Sequence, residues 1–486
     1  MLFNSYEYIL LFLPVTLIVY FALLSKQSTG EAPKLWLILA STIFYGWWNF
    51  KCLLLLLAGV IFNYIICQAI IRTDKEETHF ARKTILVLGI LVDILLLGFF
   101  KYSNFLIANV NQAISGHIEL LNLTLPIGIS FFTFTQIACI IHIYNENHDS
   151  FSFTNYLLFV VFFPYLLSGP IAYYKEIIPQ FQNSKNKLND ANMAAGLYLF
   201  SIGLFKKVVV GDNLAEWANN GFDASTLTFV EAWLTSISYT LQLYFDFSGY
   251  TDMALGSALF FNIKLPINFD SPYKSRNIQE FWRRWHITLG RFLRDHIYIP
   301  LGGNRFSTYH TIANILITFL ICGLWHGAGW TFIVWGLLHG IGLVIHRLWG
   351  KLNISMPRII ALFITFNFVN IAWIFFRAKD FGDVSKLLRG MLGLNGILLP
   401  SAFANKLGFL SDYSITFGEI MMNIGGSYLT VPFIFFFLWI CIWFNNSDEI
   451  IEKFRPTILH SFLVGGLFAL AILHLSANSE FLYFRF

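Results

Sequence analysis

Thirteen stretches of 16 to 20 largely apolar residues run through this 486-residue chain, and they decide what it can fold into. They lie at 8–24, 35–50, 52–71, 84–100, 126–144, 154–171, 193–210, 228–245, 310–325, 330–347, 358–377, 430–445 and 458–476. A helix needs about 20 such residues to cross the hydrocarbon core of a bilayer. Only 12% of the chain is charged, 32 Lys plus Arg against 28 Asp plus Glu, whereas AVILMFWYC make up 56%. A soluble chain keeps most of its ionic side chains at its surface, and this one has too few to cover itself. That excludes a soluble globular enzyme, a disordered chain and a secreted disulfide scaffold. The fold class is an all-α polytopic membrane protein of about 11–14 helices, with residues 1–486 as one domain.

The remaining totals exclude further classes. A net charge of +4 supplies no broad basic face for nucleic acid. Cys52, Cys67, Cys139, Cys322 and Cys441 lie in or beside apolar runs without a close pair, so neither disulfide nor metal spacing is present. The opening MLFNSYEYILLFLPVTLIVYF has no basic leader or small-residue cleavage site and reads as a retained first helix. Lys26, Lys34, Arg72, Lys75, Arg82 and Lys83 fall in two loops on one face, with little beyond Lys51 opposite. The positive-inside rule makes that face cytoplasmic and the N-terminus extracytoplasmic. Lys175, Lys185 and Lys187 then land outside if every candidate crosses once, so one segment between 101 and 171 is expected not to be a simple span. Runs 35–50 and 105–112 are short or interrupted, and are expected to be tilted, re-entrant or interfacial.

Eight of the 32 basic residues fall within positions 263–305, against three acids. In NIQEFWRRWHITLGRFLRDH (277–296), Asn277 and Glu280 form a capping box that predicts a helix start. Ile278, Trp282, Trp285, Leu289 and Phe292 then recur at helical spacing, with Arg283, Arg284, Arg291 and Arg294 covering most of the rest. The pattern predicts one amphipathic helix lying along a membrane face or across a cavity mouth. Its arginines are candidates for holding acidic head groups or the phosphates of a nucleotide-like donor. His286 borders the apolar stripe, as a packed structural histidine or as a site residue. Pro300 should stop the helix, and Gly302-Gly303 marks a close turn.

His326 stands in ICGLWHGAGWTF, an ionisable ring amid apolar material. Such residues are unfavourable in a membrane and usually face the bundle interior or an aqueous path. Burial favours the neutral imidazole, which accepts a proton near pH 7. Gly323 and Gly327 allow close backbone approach, and Trp325 and Trp330 are candidate pocket walls. His339 repeats the local pattern, but thirteen positions of helical rotation, about 220°, place it on another face. Asp246 and Asp252 sit among aromatic residues in YTLQLYFDFSGYTDMALG. Two readings stand for them: an Asx turn at Asp246 that interrupts the helix, or a carboxylate that orients a histidine or binds an arginine of 283–294. A neutral buried histidine suits acyl transfer to a hydroxyl, while ion transport is the competing use of buried Asp, His and Arg.

FDFSGYTDMALG, NFDSPYKSRNIQEFWRRWHITLGRFLRDHIYIPLGGNR and GLWHGAGWTFIVWGLLHG resemble the membrane-bound O-acyltransferase family. Together with MLFNSYEYILLFLPV and FLYFRF at the two ends, they resemble its alginate and peptidoglycan O-acetyltransferase branch. The resemblance implies a ring-like helical bundle around a central tunnel, with residues 239–340 as functional core. It implies His326 as the catalytic histidine, His286 as a second polar site residue, and acetyl-coenzyme A as donor substrate with no permanently bound cofactor. It further implies an extracytoplasmic polysaccharide acceptor, a separate periplasmic or surface hydrolase-like O-acetyltransferase as partner, and a bacterial cell (inner) membrane setting. Tyr483 in FLYFRF resembles a tyrosine motif thought to carry the acyl group in the related D-alanyl system; an interfacial anchor is the other reading. A transporter or flippase for a lipid-linked envelope glycan is the alternative function.

Overall fold

The computed structural model describes residues 1–26, 31–73, 79–146, 151–182, 187–413, 415–452, 457–475 and Leu482. A π-helical turn at Glu7–Phe12 leads into α1 (Leu13–Lys26), followed by α2 (Ala32–Gly46), α3 (Phe50–Arg72), α4 (His79–Ile114) and α5 (Ile129–Asn145). The stretch expected as a span at 154–171 is broken. α6 (Phe153–Val161) ends where Phe162 leaves helical geometry, and Pro164 occupies the first turn of the four-residue α7 (Phe163–Leu166), where a missing N–H is tolerated. After α8 (Tyr174–Gln182), α9 (Asp190–Phe205) continues through a π-helical stretch, Lys206–Gly211, into α10 (Asp212–Asp223). α11 (Phe229–Leu259) is followed by α12 (Ile278–Arg284) and α13 (Ile287–Leu293). Then come α14 (Thr308–His326), α15 (Trp330–Lys351), α16 (Arg358–Arg377) and α17 (Phe381–Met391).

One departure from all-helical structure occurs among the described residues. β1 (Ile397–Pro400) pairs in parallel with β2 (Ile415–Gly418), from Ile397 opposite Ile415 to Pro400 opposite Gly418, with the short α18 (Ala404–Leu407) between them. The chain closes with α19 (Thr430–Trp443), α20 (Ser447–Glu452) and α21 (Ile458–Leu473). Seven helical stretches of the described chain are long and apolar enough to cross a membrane: Glu7–Lys26, Phe50–Arg72, Phe80–Ile114, Asp190–Asp223, Thr308–His326, Trp330–Lys351 and Arg358–Arg377. The chain is a multi-pass helical membrane protein. The interruption expected at 105–112 is absent, because α4 runs unbroken for 36 residues.

Apolar side chains face both ways, as a bilayer requires. On α4, Leu88, Leu91, Leu95, Phe99 and Leu106 are 46–60% exposed and line the outer face. Its inner face carries Asp93, which accepts from Asn63 Nδ2 of α3 at 2.9 Å. The same amide donates to Gln136 Oε1 of α5 at 3.0 Å, so three helices share one polar clamp. At the centre lies α11, where every residue from Ser238 to Ala258 is buried.

Two glycine seams bring the central backbones together. Gly196 and Gly203 of α9 face Gly256 and Gly249 of α11, with a seven-residue spacing on each helix. Small residues at such spacing let membrane helices approach without intervening side chains. A Cβ at Gly256 would stand 2.6 Å from the Gly196 carbonyl oxygen and 2.8 Å from the Phe200 nitrogen. Gly256→Ala should therefore destabilise the fold by about 1–3 kcal/mol, the usual range for overpacking. A thermal melt of the detergent-purified protein indistinguishable from wild type would show that this crossing is looser than described. The second seam, Gly323 of α14 against Gly336 of α15, sets the position of His326. A Cβ on either would lie 3.1–3.2 Å from the Cα of the other.

Candidate functional site

His326 is the last residue of α14, and Gly327 beyond it is extended. Gly327 to Gly329 turn the chain so that α15 packs back against α14 at the Gly323–Gly336 crossing. The imidazole thereby enters a cage of rings. Its centroid lies 4.7 Å from Trp325, 4.9 Å from Trp335 of α15 and 5.1 Å from Phe376 of α16. The residue is only 4% exposed. It lines a cavity of about 40 Å³ together with Lys101, Gly128, Ser130, Ser168 and Trp325. About 10–15 Å³ of such space holds one water, so this cavity has room for a small polar group.

The rotation argument against His339 does not hold. Residues 327–329 break the helix between the two histidines, so no single helical phase relates them. Trp335 touches both rings, at 4.9 Å each. His339 Nδ1 accepts from Trp282 Nε1 at 3.2 Å, which assigns it a packing role. Trp330 does not wall the cavity: it is 54% exposed, and its indole donates to Asn109 Oδ1 at 2.9 Å.

The single helix expected over 277–296 is two. Asn277 caps α12 by accepting from Glu280 N at 2.8 Å, but the Glu280 carboxylate turns back to Arg276 N rather than to Asn277. After Arg284 the chain leaves the helix, Trp285 makes a bridge to Phe269, and His286 adopts a left-handed backbone at φ 44°. That geometry is unfavourable by roughly 1–3 kcal/mol for a side chain of this kind and persists only where surroundings impose it. Here the surroundings are Asn268. Its Oδ1 accepts from Thr288 N at 3.2 Å and from Thr288 Oγ1 at 2.8 Å, and lies 3.1 Å from His286 Nδ1. Thr288 Oγ1 in turn accepts from Ile171 N at 2.9 Å. Burial pushes the His286 pKa down to about 3, so this ring is neutral at physiological pH. It packs on Phe247 at 4.9 Å and is 6.2 Å from Trp325, whose ring also touches His326. Asn268 went unrecognised in NFDSPYK, where it reads as an ordinary turn residue.

Three of the four arginines are bound within the protein. Arg284 joins Asp270 at 3.0 Å and Glu280 at 3.2 Å. Arg291 grips Glu176 through two contacts of 2.6 and 3.0 Å, and lies over the Tyr173 ring at 4.1 Å. Arg294 pairs with Asp295 at 2.8 Å. Arg283 is exposed. A larger cavity of about 610 Å³ lies nearby, lined by Arg276, Asn277, His346, Trp349, Arg358 and apolar residues of α15 and α16. His346 is eleven residues beyond Trp335, the α15 residue against His326, about 16 Å at the usual helical rise. The two cavities thus lie toward opposite ends of the α15–α16 pair. A chain of ring contacts links them, from Phe368 to His339 at 5.7 Å and through Trp335 to His326.

Neither aspartate of α11 acts as expected. The helix runs straight through Asp246 without an Asx turn, and neither carboxylate reaches a histidine or an arginine of 283–294 among the described contacts. Asp246 pairs with Lys207 at 2.5 Å, and Lys207 also reaches Asp212 at 2.8 Å. Asp252 accepts from Lys206 at 2.7 Å and from Ser447 at 2.9 Å. The Lys206-Lys207 pair inside an otherwise apolar run was the signal for these partners. Tyr483 lies outside the described residues. Its neighbour Leu482 is buried and donates its N–H to Asp246 Oδ2 at 2.9 Å.

An apolar-surfaced helical bundle with a buried imidazole at a small cavity defines a multi-pass membrane protein with an ionisable ring in its interior. The model of the membrane-bound O-acyltransferase family matches residues 94–379, which include Lys101, His286 and His326, and the chain belongs to that family of acyltransferases. It is 45% identical to a peptidoglycan O-acetyltransferase of Helicobacter pylori, over 100% of this chain and 98% of that protein. It is 41% identical to a probable alginate O-acetylase AlgI of Pseudomonas aeruginosa, over 78% of this chain and 72% of the relative. A teichoic acid D-alanyltransferase of Streptococcus thermophilus is 31% identical over 56% of this chain and 72% of its own length.

Proposed function

We propose that this protein moves an acetyl group from acetyl-coenzyme A through a bacterial inner membrane for O-acetylation of an extracytoplasmic polysaccharide, with His326 as general base. The observation that carries the reading is an imidazole held at the end of α14 against a small cavity, within the segment matched by the family. The acceptor hydroxyl gives its proton to His326 as its oxygen bonds to the acetyl carbon. The carbon–sulfur bond breaks, the sulfur keeps the electron pair, and the proton passes on to the thiolate. The products are an ester and free coenzyme A thiol.

With the N-terminus outside, the 610 Å³ cavity belongs to the cytoplasmic side and the His326 cavity to the extracytoplasmic side. Arg276 and Arg358 line the first and Arg283 is exposed on α12, which makes these three the donor-phosphate candidates, whereas Arg284 and Arg291 are held by Asp270, Glu280 and Glu176 and Arg294 does not line that cavity. In this reading the rings between the cavities part for the thioester to reach His326, since the two cavities are separated by packed rings. His286 positions the reaction end by holding the α12–α13 break. Tyr483 is the candidate acyl carrier, handing its ester to a periplasmic or surface hydrolase-like O-acetyltransferase. The identity with the Helicobacter pylori relative favours peptidoglycan over alginate as the polymer.

The test is transfer of label from acetyl-coenzyme A in membranes containing wild type, His326→Ala or Tyr483→Phe. The reading expects label on a peptide containing Tyr483 in wild type, none in either variant, and loss of acetylated glycan in both. Undiminished glycan acetylation by Tyr483→Phe rejects the carrier. Export of unacetylated lipid-linked glycan without thioester consumption would instead establish the transporter alternative.

A further inference from the structure

The proposed reaction accounts for His326 but leaves the cationic group at the same cavity, Lys101, without a role. Lys101 projects from the middle of α4, a helix whose other face is lined by exposed leucines. Its ammonium lies 2.5 Å from the Trp325 carbonyl oxygen and 2.8 Å from that of His326, and 6.0 Å from the Trp325 ring centroid. Its side chain and the His326 imidazole line the same cavity.

The last four carbonyls of a helix have no partner within it and carry the negative end of its dipole. Trp325 and His326 supply two such carbonyls at the end of α14, at membrane depth where water is scarce. A lysine donates three N–H groups and no lone pair when charged. Two of the three are engaged by these carbonyls. The ammonium therefore ties α4 to the one backbone segment that carries the imidazole, and leaves a positive charge at the wall of the cavity.

We propose that Lys101 is a positioning residue for the transfer. It fixes the end of α14 so that the His326 ring faces the cavity, and its charge favours the negative oxygen that forms on the acetyl carbon. It keeps its own proton throughout: the hydroxyl proton still goes to His326, and the oxyanion collapses as the carbon–sulfur bond breaks. This inference rests on the acyl-transfer reading, so one arm of its test does not require turnover.

The experiment compares purified wild type, Lys101→Met, Lys101→Arg and His326→Ala, each normalised to folded monodisperse protein. Lys101→Met should lower kcat about 100-fold, the scale for removing one preorganised donor at a developing oxyanion. Its KM for acetyl-coenzyme A should stay within about twofold, because the donor's phosphates bind elsewhere. Lys101→Arg should recover to within about tenfold of wild type. In the arm without substrate, diethyl pyrocarbonate modification of His326, read by peptide mass spectrometry, should change at least about threefold in Lys101→Met as the end of α14 frays. A Lys101→Met enzyme with wild-type kcat per folded molecule beside an inactive His326→Ala overturns the inference. So does unchanged modification of His326, whatever the activities are. Full activity of His326→Ala would remove His326 as the base instead, and no acetyl transfer by wild type would defeat the acyl-transfer assignment, with the modification arm on wild type and Lys101→Met still deciding whether Lys101 places the ring.

Discussion

His326→Ala should abolish acetyl transfer while the protein remains folded in the membrane. A positioned general base contributes about 10²–10⁴ to a rate, and no second histidine stands ready to substitute. His339 is packed with its Nδ1 accepting from Trp282, and His286 is held with its Nδ1 against Asn268 Oδ1. The expected result is a kcat reduced at least about 100-fold, with donor binding retained, because the basic cavity lies at the other end of α15. His326→Gln sharpens the test. It keeps a polar side chain of similar size in the cage of Trp325, Trp335 and Phe376 but removes the proton acceptor. Initial rates of labelled acetyl transfer, per folded molecule, make the measurement. Either variant working within tenfold of wild type would remove the base from the mechanism.

Lys207→Met should produce the largest loss of stability. Lys207 and Asp246 are 3% and 1% exposed and 2.5 Å apart, so the substitution leaves a carboxylate in a nonpolar interior without its cation. Breaking a buried ion pair on one side destabilises by about 3–5 kcal/mol, whereas replacing both partners with apolar groups is often neutral. The Lys207→Met/Asp246→Leu double variant should therefore recover part of the loss. It should fall short of wild type, since Leu482 N–H also bonds Asp246. Thermal unfolding in detergent reads both effects. A single variant that melts with wild type would mean that Asp246 is protonated or hydrated in place, and that the pair contributes no charge compensation.

The α14–α15 hairpin shows how much could be read in advance. GLWHGAGW announces a histidine amid apolar residues, with glycines on both sides to admit a close backbone; the close backbone is there, but the ring stands at the end of α14 rather than within a span. The failed inferences share one cause. The 277–296 stripe has helical spacing throughout, yet the helix breaks at His286, where Asn268, 18 residues earlier, binds His286, Ile287 and Thr288. The arginines of that stripe looked like ligand-binding charge, but Glu176 and Asp270 had already been brought beside two of them by the fold. Asp246 and Asp252 were recognised as needing cations, but their partners came from consecutive lysines on the π-helical stretch after α9.

Sequence by itself determined the solvent this protein folds in, its helical class and that His326 is an ionisable ring among apolar residues. Those follow from composition and local spacing, because a bilayer tolerates neither unpaired backbone nor stray charge. Only the tertiary structure decided which charges neutralise one another, where the amphipathic stretch breaks, and that Lys101 stands at the carbonyls of His326. These depend on contacts between residues far apart in the chain, 225 positions in the case of Lys101 and His326. A side chain's identity states which partners it needs, and packing alone states which of them it meets.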